Sequence, residues 1–235
     1  MIRTRLTVIA AAAVIALSGC GGSSDGTKSK DLSSLSAKAL LAKAKAQVDK
    51  ESNVSVDGTT TDGSSEIGIK IGYSGKDATG TVTIDGGVMS LLKVGDITYF
   101  RADDDFWKSG SNDPPADFLA TVKGRWIKAA ADSNFADLTG LADRTFLRKE
   151  VLVPDGTIAK GDSKTVNGVN CIALDDGKTG SLFVATDDAR PIKIVSTDKK
   201  NGEMTFSYDA VDIPAAPAAA DVIDESELTG LSMTG

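Results

Sequence analysis

Over two stretches, 53–102 and 158–208, hydrophobic residues recur at every second position in short runs broken by glycine, asparagine and aspartate. That period admits little besides β-strands with one buried face. Val54 and Val56 alternate, Ile67, Ile69, Ile71 and Tyr73 alternate, and Val82 with Ile84 does so again. Val88–Val94 and Ile97–Ala102 continue the pattern, and 158–166, 170–174, 181–185, 192–196 and 204–208 resume it. Asp85-Gly86-Gly87, Gly95-Asp96, Asn167-Gly168, Asp176-Gly177 and Asn201-Gly202 separate the runs. Asn-Gly between alternating segments is a strong hairpin signal. Short strands joined by tight turns predict an antiparallel meander rather than alternating β and α units.

Helical spacing occurs elsewhere. Leu40, Ala44 and Val48 repeat at intervals of four beside Leu41, with Ser33, Ser34 and Ser36 available as caps, which predicts a helix from about Ser36 to about Lys50. Between Asp103 and Lys149, Pro114-Pro115 stops the sheet, Asp117–Val122 reads as a short helix and Arg125-Trp126-Ile127 as a brief extended piece. Phe135, Leu138, Leu141 and Ala142 have helical spacing that runs on through Phe146 and Leu147. The fold class expected is α+β: a curved, open antiparallel sheet of about ten or eleven strands, with helices over its concave face.

Composition narrows the chemistry. The chain has 235 residues and no histidine, so a Ser-His-Asp triad, a Cys-His pair and a histidine-bound zinc are excluded. Two cysteines are too few for a four-cysteine zinc site or an iron–sulfur cluster. A net charge of −7 argues against nucleic acid as a partner. Neither a metal nor a cofactor is called for, and an enzyme is not expected. The carboxylate pairs Asp103 with Asp105 and Asp175 with Asp176 are accounted for by turn chemistry. Gly177-Lys178-Thr179 matches only the end of a phosphate-binding loop, because Ile172 stands where the first glycine belongs.

The N-terminus carries an address. Arg3 and Arg5 precede the largely apolar Leu6–Leu17, too short at about 18 Å to cross a hydrocarbon core of about 30 Å. This is the form of a secretory signal peptide over residues 1–19. Leu17-Ser18-Gly19-Cys20 resembles the lipobox of bacterial lipoproteins, in which the cysteine receives a diacylglycerol and becomes the first residue. Two acyl chains on Cys20 would supply stable anchoring to the outer face of the cell membrane. An ordinary signal peptide, or a buried helix with an incidental cysteine, is the alternative. Residues 20–34 form the lipidated cysteine and a small, polar tether. Loss of residues 1–19 leaves 24 basic and 33 acidic residues, a charge of −9. Cys171 is then without a partner and is expected to be a buried small hydrophobe, a disulfide with Cys20 being the competing reading.

The order of these pieces resembles the LolA-like lipoprotein carriers, and within them the LppX/LprG type of actinobacterial lipoproteins. The resemblance rests on Leu40-Leu41 with Ala44, on Asn53–Gly58, on Gly95–Ala102 and on Gly124-Arg125-Trp126-Ile127. It continues through Val166-Asn167-Gly168-Val169, Arg190-Pro191-Ile192-Lys193 and Phe206-Ser207-Tyr208 to Val211-Asp212-Ile213-Pro214. It implies a half-barrel domain over residues 35–214, with 215–235 as a loosely held tail rich in alanine and acid. It also implies an apolar cavity for the acyl chains of a lipid, lipoglycan or acylated protein, carried or presented at the envelope by a monomer. The chain departs from the family in having few aromatic residues and the extra acids Asp103-Asp104-Asp105.

Physical reasoning supports such a hollow without requiring it. Short helices over a curved sheet need not fill the space to native density. Ile67, Ile69, Ile71, Val82, Ile84, Met89, Leu91, Phe118, Leu119, Phe135 and Leu138 are the expected lining. The alternative is that the same residues form a solid core and the lipoprotein acts through its surface on an envelope partner.

Overall fold

The computed structural model describes residues 32–109, 114–130, 133, 135–197 and 202–228. After a 3₁₀ turn, Leu32–Ser34, helix α1 runs from Ala37 to Lys50. Its N-cap is Ser36, whose hydroxyl oxygen accepts from the Ala39 N–H. Five strands follow: β1 Asn53–Asp62, β2 Ser65–Ser74, β3 Asp77–Ile84, β4 Gly87–Val94 and β5 Ile97–Ala102. The connecting segment holds α2 Asp104–Ser109, α3 Ala116–Val122, β6 Trp126–Lys128, α4 Ala136–Gly140 and a π-turn, Leu147–Val151. Next come β7 Ala159–Val166, β8 Val169–Asp175, β9 Gly180–Ala185, β10 Pro191–Ser196 and β11 Glu203–Ser207. The last strand is β12, Val222–Asp224, followed by a 3₁₀ turn at Glu225–Leu228.

All twelve strands belong to one open, curved sheet in the order β12-β6-β5-β4-β3-β2-β1-β11-β10-β9-β8-β7. Every pairing is antiparallel apart from β12 with β6. The two meanders foreseen from the alternation are joined side by side by β1 and β11, in a register that sets Val56 opposite Phe206 and Gly58 opposite Met204.

Helix α1 lies over this join. Leu40, Ala44 and Val48 are completely buried, as their spacing predicts. Leu40 and Ala44 pack with Ile172, Leu174 and Val184, whereas Val48 belongs to the larger cluster containing Val54, Ile71 and Phe100. The far end of the helix is tied down by charge. Arg190 reaches Glu51 through two hydrogen bonds of 2.8 and 3.1 Å and lies 4.9 Å above the Tyr208 ring. The guanidinium holds the Glu51 carboxyl below its ordinary range against the opposing effect of burial. Arg144 donates to the carbonyls of Glu51 and Ser52.

At the β7–β10 end both faces of the sheet carry an apolar cluster. Cys171 and Ala173 pack with Phe183, Ala185 and Ile192 on one face, and Ile172 and Leu174 face α1 on the other. Cys171 is a free, fully buried thiol, its pKa raised mainly by burial.

Three expectations are corrected. The run Asp103-Asp104-Asp105 begins a helix rather than forming a turn: Asp103, still exposed, precedes α2, and its carboxylate accepts from the N–H groups of Phe106 (2.7 Å) and Val88 (3.1 Å). The helix so begun buries Phe106 and Trp107. The helical stretch expected from Phe135 through Leu147 is two pieces, because the Asp143 carboxylate takes the Thr145 N–H at 2.8 Å and turns the chain between them. The tail expected to be loose from 215 is packed over 219–228. There β12 sits beside β6 with Ile223 and Glu225 buried, Arg125 donating to the Val222 carbonyl and Lys128 paired with Asp224 at 3.0 Å. Ile223 and Leu228, both buried in the main core cluster, outweigh the surrounding alanine and acid.

At Gly87 helix α2 rests directly on the sheet. A Cβ there would lie 2.3 Å from the Phe106 nitrogen and 2.4 Å from its Cα, so only glycine lets α2 rest on β4. Gly87→Ala is therefore expected to lower the unfolding free energy by about 1–3 kcal/mol, read from urea denaturation. Unchanged stability would mean that α2 is free to shift.

Candidate ligand-binding cavity

The inward side chains of β1 run Val54, Val56, Gly58, Thr60, so the bulk directed at the interior falls along the strand. Gly58 also draws β11 close, because a Cβ there would stand 2.1 Å from the Glu203 carbonyl oxygen. Beneath Val54 and Val56 the interior is filled. Further along the strand, at Thr59, Thr60 and Thr61, it is not, and a hollow of about 480 Å³ remains.

Its floor is Ile69 from β2, Met204 from β11, Ile194 from β10 and Leu182 from β9. Leu41 of α1 and Leu174 of β8 form one wall. The opposite wall is Phe146, Val151, Leu152, Val153, Pro154 and Ile158. The π-turn shapes that wall: the Leu152 N–H bonds the Leu147 carbonyl at 2.8 Å, and the buried Leu147 and Leu152 anchor both ends. Arg148 is linked to Asp49 of α1 at 3.7 Å. Val153 remains 47% exposed at the rim, one of two large hydrophobic side chains so exposed among the described residues.

The rim is polar and mostly self-satisfied. Asp176 accepts from the N–H groups of Lys178, Thr179 and Gly180 and from the Thr179 hydroxyl. Burial pushes its pKa up, but these four donors prevail and hold the carboxyl well below the usual range. The Ser181 hydroxyl donates to Asp175, and that of Ser196 to the Thr179 carbonyl. The turn chemistry expected of Asp175-Asp176 is what the structure shows. A second hollow, of about 310 Å³, lies beside Tyr73 and is ringed by Lys76, Lys93, Asp96, Asp143 and Arg144, a charged lining unsuited to hydrocarbon.

Of the residues expected to line the cavity, Ile69 does so. Ile71, Val82, Met89, Leu91 and Phe118 are at most 2% exposed and belong to the packed core. Ile67, Ile84, Leu119, Phe135 and Leu138 pack against that core as partly buried residues. The reason is aromatic: Trp107 sits 5.2 Å from Phe118 and 5.7 Å from Phe135, and Phe135 is 4.9 Å from Phe100. These rings fill the space under β2–β5 where the hollow was expected. Besides Ile69, Leu41 beside the buried stripe of α1 is a residue singled out in the sequence that lines the actual cavity. Cys20 lies outside the described residues. Among them there is no cluster of three or more side chains able to hold a metal, and no helix long and apolar enough to cross a membrane.

The architecture is that of a single open sheet with helical cover, and chains of this kind are known. The fold is similar to that of LprF from Mycobacterium bovis, at 12% identity and a TM-score of 0.46, over 76% of this chain and 96% of that one. It is similar to the Mycobacterium tuberculosis lipoprotein LppX, at 12% identity and a TM-score of 0.40, over 75% of this chain and 99% of the other. An uncharacterized conserved protein from Thermus thermophilus aligns over 80% of this chain and 99% of its own, at 10% identity and a TM-score of 0.39. No family model matches the sequence, and no curated protein matches it.

The Asp176 turn makes stability depend on acid. The folded-state pKa lies below that of an unfolded aspartate, about 3.9, so its contribution is complete above that value and is lost as pH falls toward the folded one. Asp176→Ala should cost about 1–3 kcal/mol at neutral pH. Asp176→Asn should unfold with a shallower dependence on pH below about 4 than the parent; identical acid titrations of stability would contradict the assignment.

Proposed function

We propose that this chain is an envelope lipoprotein, anchored through Cys20, that holds an acyl chain of an amphiphile in the hollow beside α1 and carries or presents it at the membrane. The supporting observation is the cavity itself: twelve of its lining residues are apolar, and it opens at a rim of hydroxyls and carboxylates. That combination suits a molecule with one oily end and one wet end. The function is one of binding, and it assigns no reacting group.

Size limits the cargo. An apolar cavity of about 150 Å³ is large enough for the six carbons of benzene. At that density 480 Å³ accommodates about 19 carbon atoms, which is one long chain rather than two or three. Each methylene moved from water into the hollow contributes about 0.8 kcal/mol, or about fourfold in affinity.

Affinity of the chain, freed of co-purifying lipid, should therefore climb about fourfold per methylene across a homologous series of alkyl amphiphiles, then level off when the hollow is full. Displacement of an environment-sensitive alkyl fluorophore would measure it. Ile194→Trp, which places a ring in the floor, should shorten the length at which affinity levels off while leaving the fold intact by circular dichroism. Affinity independent of chain length would end the carrier reading.

A further inference from the structure

The two ends of the sheet carry different things. The hollow opens at one of them: Thr61 lies at the end of β1 and Ser196 ends β10, while Gly180 and Glu203 begin β9 and β11. Val153 and Pro154 belong to its rim, in a loop that rests at Gly156 on the Asp176 carbonyl. Among the described residues two large hydrophobic side chains are well exposed, and Val153, at 47%, is at this end. Ile97, at 40%, begins β5 at the opposite end, next to Asp96 of the charged hollow.

The chain enters the domain at the mouth end. Leu32 is buried in the cluster that holds Leu41, Leu174 and Leu182, three residues that also line the hollow. Lys160, just beyond the lining residue Ile158, donates to the carbonyls of Ser33 and Leu35 and fixes the entry there. Cys20 stands twelve residues before Leu32, a span of about 40 Å at full extension. The ten-residue strands β1 and β2 place the far end of the sheet about 33 Å from the mouth. Turning that far end toward the membrane would lift Leu32 by this distance and use up most of the link. Turning the mouth toward the membrane demands no such extension, and no loss of chain entropy with it.

Resting on the reading above, we infer that the mouth end of the domain docks on the surface of the bilayer that holds Cys20, with Val153 and Pro154 in its interfacial layer, and that the amphiphile passes between bilayer and hollow without crossing water. A chain that moved through water would expose every methylene, each lowering the population of the crossing state about fourfold. A mouth in contact with lipid removes that penalty. Glu150 and Asp155, exposed on either side of Val153 in the chain, keep the contact shallow, because a carboxylate does not enter hydrocarbon unpaired.

The experiment uses the full-length acylated chain in phosphatidylcholine vesicles. Val153→Cys and Ile97→Cys each carry a fluorophore on the introduced thiol, Cys171 being fully buried and so spared. Lipid bearing a quencher near the glycerol should dim the label at 153 and leave the label at 97 bright. Val153→Asp should slow entry of the alkyl fluorophore from the vesicles about fivefold, and slow it less when the fluorophore is offered in water. Ile97→Asp, at the far end, should leave both rates as they were. A label at 153 that stays bright, or entry from vesicles slowed no more than entry from water, overturns the docking while the cavity reading stands. Mass spectrometry showing no acyl group on Cys20 overturns anchoring and docking together. A hollow that takes up no fluorophore from either source overturns the carrier reading and this inference with it.

Discussion

The pairing of β1 with β11 is the constraint on which the molecule depends. It joins residues about 150 positions apart in sequence, Ser55 with Ser207 and Gly58 with Met204, and so makes one sheet out of two meanders. Closing so long a loop is entropically costly, and the cost must be recovered by burial at the seam. Helix α1 provides that burial, laying Leu40 and Ala44 on one half and Val48 on the other. The Arg190–Glu51 pair and the Arg144 hydrogen bonds then fix the end of the helix to both sides of the join.

The same seam explains why the interior is filled in one part and hollow in another. Where β1 contributes Val54 and Val56, aromatic rings from α2, α3 and the segment before α4 complete the packing. Further along, the threonines 59–61 replace them, and the facing wall is Phe146 with a π-turn whose buried anchors are Leu147 and Leu152. The change from valine to threonine along one strand coincides with the boundary between the core and the hollow. The polar rim lies where the apolar residues stop, and its own hydrogen bonds keep it open rather than collapsed.

Much of the fold was legible in the order of the residues. The period of two, the Gly-containing turns and the Leu40-Ala44-Val48 stripe each act over a few residues, and each corresponds to an element in nearly the expected place. The site was less so. Ile71, Val82, Met89, Leu91 and Phe118 are as apolar as any cavity lining, and nothing in their own sequence says whether an aromatic ring or empty space will face them. Helix α2 was concealed because three aspartates read equally well as a turn and as a helix start, a choice made by Val88 and Phe106 offering their N–H groups to Asp103.

What the sequence alone determined was local: strand period, turn positions, the one long helix, and the absence of any histidine chemistry, all set by side chains a few positions apart. Only the tertiary structure decided which strands adjoin, that residues 219–228 complete the sheet and that the hollow lies by Leu41, Leu182 and Ile194 rather than under Phe118. The reason is physical. A cavity is a property of the volume left between segments distant in the chain, and that volume depends on the mutual placement of rings and strands rather than on the polarity of any one of them.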